Sequence, residues 1–162
     1  MLSYEQIIQK TITLDTALNR LGGEFRNKHK IIFTNGCFDV LHRGHIYYLS
    51  RARELGDVLV VGLNSDASVR LLKGKGRPVN TQDARAEVLG ALAFVDFIIV
   101  FEEETPLNLI KALEPDILVK GGDYRLEDIV GYREVRSGGG RVITIPLLEG
   151  YSSTSIIDRN KP

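Results

Sequence analysis

The sequence predicts an α/β fold, a five-stranded parallel sheet with helices on both faces in a single domain. Three observations predict it. Short β-branched runs recur along the chain, stretches of helical period lie between them, and 162 residues with 43% hydrophobic content suit one ordinary domain. Strands alternating with helices require crossover connections, which are right-handed and join parallel strands.

The elements follow in chain order. Residues 1–29 read as one or two polar amphipathic helices broken near Gly22-Gly23, an extension serving as a flap or a partner contact ahead of a domain at 30–162. The first strand is Ile31-Ile32-Phe33, an apolar run suited to burial on both faces. A helix over 46–55 follows, with Gly56 where it should stop. Val58-Leu59-Val60-Val61 is the second strand, and its helix runs into a glycine-punctuated basic loop, Lys73-Gly74-Lys75-Gly76-Arg77-Pro78. Apolar spacing over 83–94 predicts the next helix, and Phe97-Ile98-Ile99-Val100 the third strand. Thr105 as cap and Pro106 at the first helical position open a helix over 107–113. Ile117-Leu118-Val119 and Val142-Ile143-Thr144-Ile145 are the last strands, and the hydroxyl run Ser152-Ser153-Thr154-Ser155 caps a final helix.

Composition excludes several function classes. Lys+Arg and Asp+Glu are each 21, so the net charge of zero supplies no excess for non-specific nucleic-acid or membrane-surface binding. The one cysteine cannot form an internal disulfide, and no signal pattern or bilayer-spanning apolar run is present. The expectation is a cytoplasmic protein with no nucleic-acid or membrane partner.

Four polar, glycine-bearing segments follow strands and would converge on the carboxyl edge of the sheet, where open α/β sheets bind ligands. The first is Thr34-Asn35-Gly36-Cys37-Phe38-Asp39, leading through His42-Arg43-Gly44-His45 into a helix. Two histidines three apart at a helix N-terminus can both address an anion resting on free backbone N–H groups, and Gly44 would let it approach the backbone. The other reading makes one histidine a cap and the other a packing residue. Zinc needs about four ligands, and the chain offers few beyond these histidines and Cys37, so no metal is assigned to protein residues. The second segment is the basic loop, whose Lys73, Lys75 and Arg77 could close over a triphosphate. Gly121-Gly122-Asp123 is the third, and the terminal Ser152-Ser153-Thr154 helix start is the fourth.

At these residues the chain resembles the H-x-G-H nucleotidylyltransferase superfamily. The sequence Asn35-Gly36-Cys37-Phe38-Asp39 with His42-Arg43-Gly44-His45 matches its first signature, and Ser152-Ser153-Thr154 its last. Within it, 75–80, 85–96 and Leu118-Val119-Lys120-Gly121-Gly122-Asp123-Tyr124 are similar to the adenylyltransferase of ADP-heptose synthesis, and the resemblance covers roughly 30–159. It implies a Rossmann-like fold and transfer of a nucleotidyl group from ATP to D-glycero-β-D-manno-heptose 1-phosphate, with Mg²⁺ carried mainly by the triphosphate. His42, His45 and Lys75 become catalytic residues. Thr34, Asn35, Gly36, Cys37, Phe38, Gly44, Arg85, Gly122, Asp123, Ser152, Ser153 and Thr154 become nucleotide-binding. Asp39, Lys73, Arg77 and Lys120 become acceptor-binding. The resemblance also implies a homodimer and a role in lipopolysaccharide core synthesis. Cytidylyl-transferring relatives carry Arg-Thr-Glu-Gly before the last signature, where this chain has Leu147-Leu148-Glu149-Gly150, which favours adenylyl over cytidylyl transfer. Cytidylyl transfer to a polyol phosphate and a nucleotide-binding module without turnover are the alternatives.

Overall fold

The structure is a computed structural model that describes residues 2–122 and 124–159. Strands β1 (Ile31–Gly36), β2 (Val58–Asn64), β3 (Phe97–Phe101), β4 (Ile117–Gly121) and β5 (Arg141–Ile145) form one sheet in the order β3-β2-β1-β4-β5, all pairs parallel. The chain moves outward from β1 to β3, then returns to place β4 on the other side of β1. That reversal puts a crevice at the carboxyl ends of β1 and β4.

Side chains alternate between two cores. Ile31, Phe33, Val58, Val60 and Leu118 join one face, and Ile32, Leu59, Val61, Ile117 and Val119 join the other. Burial on both sides explains why the strand runs are unbroken rather than alternating, and each such residue contributes roughly 1.5–3 kcal/mol. One face is covered by α2 (Leu14–Leu21), α7 (Leu107–Leu113) and α8 (Tyr132–Ser137), the other by α4 (Arg43–Arg53) and α6 (Gln82–Gly90). The remaining helices are α1 (Tyr4–Ile8), α3 (Gly23–Lys28), α5 (Asp66–Lys73) and α9 (Ser153–Arg159).

Several boundaries differ from the sequence reading. Four strands extend further at their carboxyl ends, through Thr34-Asn35-Gly36, Gly62-Leu63-Asn64, Phe101 and Lys120-Gly121. Helix α4 starts at Arg43 rather than 46, because His42 already has the extended backbone of an N-cap (φ −144°, ψ 170°) although its side chain makes no capping bond. Helix α6 ends at Gly90 rather than 94; a Cβ there would lie 2.8 Å from the Ile7 carbonyl oxygen. Pro106 is the N-cap of α7 rather than its first helical residue, so the cap falls one residue later than Thr105.

Residues 2–29 are three helices and do not stand off as a flap. Between α1 and α2 the backbone joins the sheet edge, with Ile12 N–H donating to Ile98 O at 2.9 Å and Ile98 N–H to Lys10 O at 2.8 Å. Ala17 and Leu21 are buried in the core with α7, and Arg26 donates to the Leu113 and Glu114 carbonyls at its C-terminus. No described helix is long and apolar enough to cross a membrane.

Candidate active site

A cavity of about 670 Å³ opens at the carboxyl ends of the strands. Lys120, Gly121, Leu147 and Tyr151 line its β4–β5 wing, Asn64, Lys73 and Thr105 its β2–β3 wing, and His42 and His45 stand between. The helix N-terminus of α4 places the histidines three residues apart and on one face, so their rings stack with centroids 3.8 Å apart and planes 19° apart. Both Nδ1 atoms are buried without a hydrogen-bond partner among the described residues. Burial lowers both pKa values, and for His45, beside His42, the value falls to about 4. Near neutral pH both rings are therefore uncharged, and each carries a single N–H donor.

The turn before α4 is built around these rings. Phe38, with φ at 44°, sets its ring edge-on to His45 at 5.1 Å, and the Phe38 ring lies where a Cβ on Gly36 would be, 2.9 Å away. Gly44 has a different use from the one its place in the motif suggests. A Cβ there would meet the His42 ring at 3.0 Å and the Tyr151 Cβ at 3.1 Å, so the space is taken by the protein's own side chains rather than left for a ligand. Arg43 donates to the Tyr151 hydroxyl at 3.1 Å, tying this turn to the start of α9.

The other expected site residues divide into those at the cavity and those behind it. Asn35, Gly36, Cys37, Phe38, Gly44, Lys73, Lys120, Ser152, Ser153 and Thr154 line it. Among the described residues Lys120 Nζ reaches Asn35 Oδ1, at 3.4 Å, and burial lowers its pKa; burial also raises that of the Cys37 thiol. Ser153 Oγ donates to the Val40 carbonyl at 3.0 Å. Asp39 and Arg77 border the cavity but are bound to each other, and Asp39 also accepts from the N–H groups of Val79 and Asn80. The Asp39 carboxylate is thus committed within the protein, and Arg77 spends its Nε on it.

Four residues do not line the cavity. Thr34 is buried, its hydroxyl 2.6 Å from that of Tyr48, which donates to the Val119 carbonyl. Arg85, 2% exposed, spends its guanidinium on the carbonyls of Cys37, Asn64 and Asn80 and on Asp66. Lys75 is exposed on the tip between Gly74 and Gly76, outside the lining. Gly122 lies behind Gly121, its N–H donating to Ile145 O at 3.0 Å. Asp123 lies outside the described residues. Sequence reasoning missed Tyr48, Asn64, Tyr124 and Tyr151 as lining residues. Tyr48 had a signal, three residues beyond His45 on the same helical face. Among the described residues no three His, Cys, Asp or Glu side chains gather as a metal-ligand set.

The model of the family described as cytidylyltransferase-like matches residues 33–159, which contain this whole arrangement. The chain belongs to the cytidylyltransferase-like family. Its relatives include the bifunctional protein HldE of Campylobacter concisus, 52% identical over 98% of this chain, and that of Nitrobacter hamburgensis, 53% identical over 96%. The chain spans 32% and 31% of those two proteins, about a third of their length. Among solved structures, the lipopolysaccharide core biosynthesis protein from Thermoplasma volcanium is 28% identical, with a TM-score of 0.61 over 76% of this chain and 99% of its own. Pantoate-beta-alanine ligase from Francisella tularensis, 16% identical with a TM-score of 0.62 over 93% of this chain and 76% of its own, shares the fold.

Proposed function

We propose that this member of the cytidylyltransferase-like family transfers the adenylyl group of ATP to D-glycero-β-D-manno-heptose 1-phosphate, giving ADP-heptose for lipopolysaccharide core synthesis. The observation that carries the transfer is the pair of stacked, uncharged imidazoles at the head of α4, both lining a cavity that has cationic groups in both wings. The likeness to the two HldE proteins and to the lipopolysaccharide core protein supports the heptose acceptor.

A phosphate acceptor is already ionised near neutral pH, so the reaction needs no base. Its oxygen attacks the α-phosphorus in line, the bond from that phosphorus to the bridging oxygen breaks, and the electron pair leaves with pyrophosphate. The protein's work is to bring two anions together and stabilise added negative charge. His42 and His45 donate N–H groups to the transferring phosphoryl. Ser152 and Thr154, whose hydroxyls donate to no partner among the described residues, hold triphosphate oxygens, and Lys73 and Lys75 balance the leaving pyrophosphate. Lys120, which has no carboxylate partner among the described residues, receives the acceptor's phosphate. Mg²⁺ would arrive on phosphate oxygens and water, where it would neutralise phosphate charge.

Pyrophosphate release measured with ATP and CTP, each against the heptose 1-phosphate and glycerol 3-phosphate, tests this reading. ATP with the heptose phosphate should turn over fastest. Faster release with CTP and glycerol 3-phosphate would replace both substrates, and tight ATP binding with no product from any pair would leave a binding module.

A further inference from the structure

We propose that Arg85 is a positioning residue that fixes the stem of the 73–80 loop against the histidine turn and so sets where Lys73 and Lys75 meet the substrate. The inference rests on the role given above to those lysines. Arg85 Nη1 donates to the Cys37 carbonyl at 2.6 Å and the Asn64 carbonyl at 2.8 Å, Nε donates to the Asn80 carbonyl at 3.1 Å, and Nη2 to Asp66 Oδ1 at 2.8 Å. Those acceptors belong to separate segments: the histidine turn, the end of β2, the loop stem and the start of α5. A buried guanidinium is tolerated because its planar fork meets all of them, which the ammonium of a lysine cannot do.

Asp39 grips the same stem from the other side. Its carboxylate accepts from Val79 N–H at 2.7 Å and Asn80 N–H at 3.0 Å, and its carbonyl from Asn80 Nδ2 at 2.7 Å. Asn80 is thus held by its N–H, its side chain and its carbonyl, and the two groups holding it are anchored to the turn that carries His42. The tip at Gly74, Lys75 and Gly76 has no such hold: a Cβ on either glycine would meet nothing within 4 Å. A fixed stem with an open tip lets Lys75 move over a short radius whose centre is registered to the histidines, while Lys73 ends α5, whose start Arg85 holds through Asp66.

The test is steady-state kinetics on the full chain, using whichever nucleotide and acceptor pair it turns over. The proteins compared are the wild type, Lys73→Ala/Lys75→Ala, Arg85→Lys and the triple variant. Arg85→Lys should lower kcat on the order of 10²-fold while KM for the nucleotide stays within about threefold, since the shift touches the transition state and not the β4–β5 wing. Removing the two lysines should then cost at least about tenfold less in the Arg85→Lys background than in the wild type, because both changes act on one element. Equal lysine costs in the two backgrounds would reduce Arg85 to a packing role and overturn the inference. A wild type indifferent to loss of both lysines would instead overturn the reading of the loop, and the inference with it. Should Arg85→Lys fail to fold, Asn80→Ala at the exposed stem serves. It should lower kcat by roughly three- to tenfold and partly mask the lysine cost, whereas unchanged kcat and unchanged lysine cost would overturn the inference.

Discussion

His42 and His45 reach the cavity from a turn in which almost every atom has a neighbour: the rings stack on each other, Phe38 backs one, and Gly44 leaves space that the other fills. Lys75 stands outside the cavity lining, exposed on a tip flanked by two glycines, at φ 83° and 85°, with open space around both. Uncharged donors stand in the rigid turn, and a full charge stands on the free tip. Electrostatic stabilisation requires donors already placed where charge develops, whereas a cation that neutralises a departing group must also release it. The difference predicts that damage to the turn is felt in turnover and in stability, and damage to the tip in turnover alone.

The largest expected effect is at His42. His42→Ala removes one preorganised donor and the ring beside Gly44, so pyrophosphate release should fall on the order of 10²–10³-fold. Undiminished turnover would break the comparison at its rigid end and the proposed function with it.

Stability against pH sharpens the same end. The His45 pKa is about 4 in the folded chain against 6.5 unfolded, because burial and His42 disfavour its charged form. Between those values the unfolded chain holds more protons, so the contribution is complete above pH 6.5, falls away toward pH 4 and is absent below. The difference amounts to up to about 3 kcal/mol before solvent screening reduces it, or a Tm decline of roughly 5–10 °C. Thermal melts from pH 8 to pH 4 should show that decline in the wild type and a shallower one in His45→Asn, which has no ring to protonate. Parallel curves would mean that His45 is not the group responsible.

The contrast between turn and tip also explains how much the sequence disclosed. Strands buried on both faces announce themselves as apolar runs, and all five were legible. Their carboxyl ends were not, because Thr34, Asn35, Asn64 and Lys120 are polar residues in extended backbone, and those ends are where the chain meets the cavity. The histidine pair could be found from spacing and position alone. Arg85 could not be placed, since an arginine on a helix looks the same in sequence whether it faces a phosphate or three carbonyls. Asp39 is the same case: its carboxylate is committed to the loop stem by contacts about 40 residues distant. Residues 1–29 read in sequence as an amphipathic helical extension, a flap or a partner contact; within 2–29 the two buried side chains Ala17 and Leu21, with backbone bonds to β3, attach the segment to the core.

The smallest effect should come from the tip. Gly74 has φ 83° and ψ −172°, a conformation that strains an L-residue by about 1–3 kcal/mol. A buried turn would have to bear that strain, but at Gly74 an added Cβ meets nothing, and only its N–H is tied, to Arg70 O at 2.9 Å. Gly74→Ala should therefore let the tip refold locally, leaving Tm within about 3 °C of the wild type and lowering kcat roughly three- to tenfold, with KM for the nucleotide unchanged. A Tm loss as large as the acid decline would show that the tip is packed as tightly as the turn. Unchanged kcat would show that the path of the tip does not matter to the lysine it carries, and the two regions would then differ in structure without differing in function.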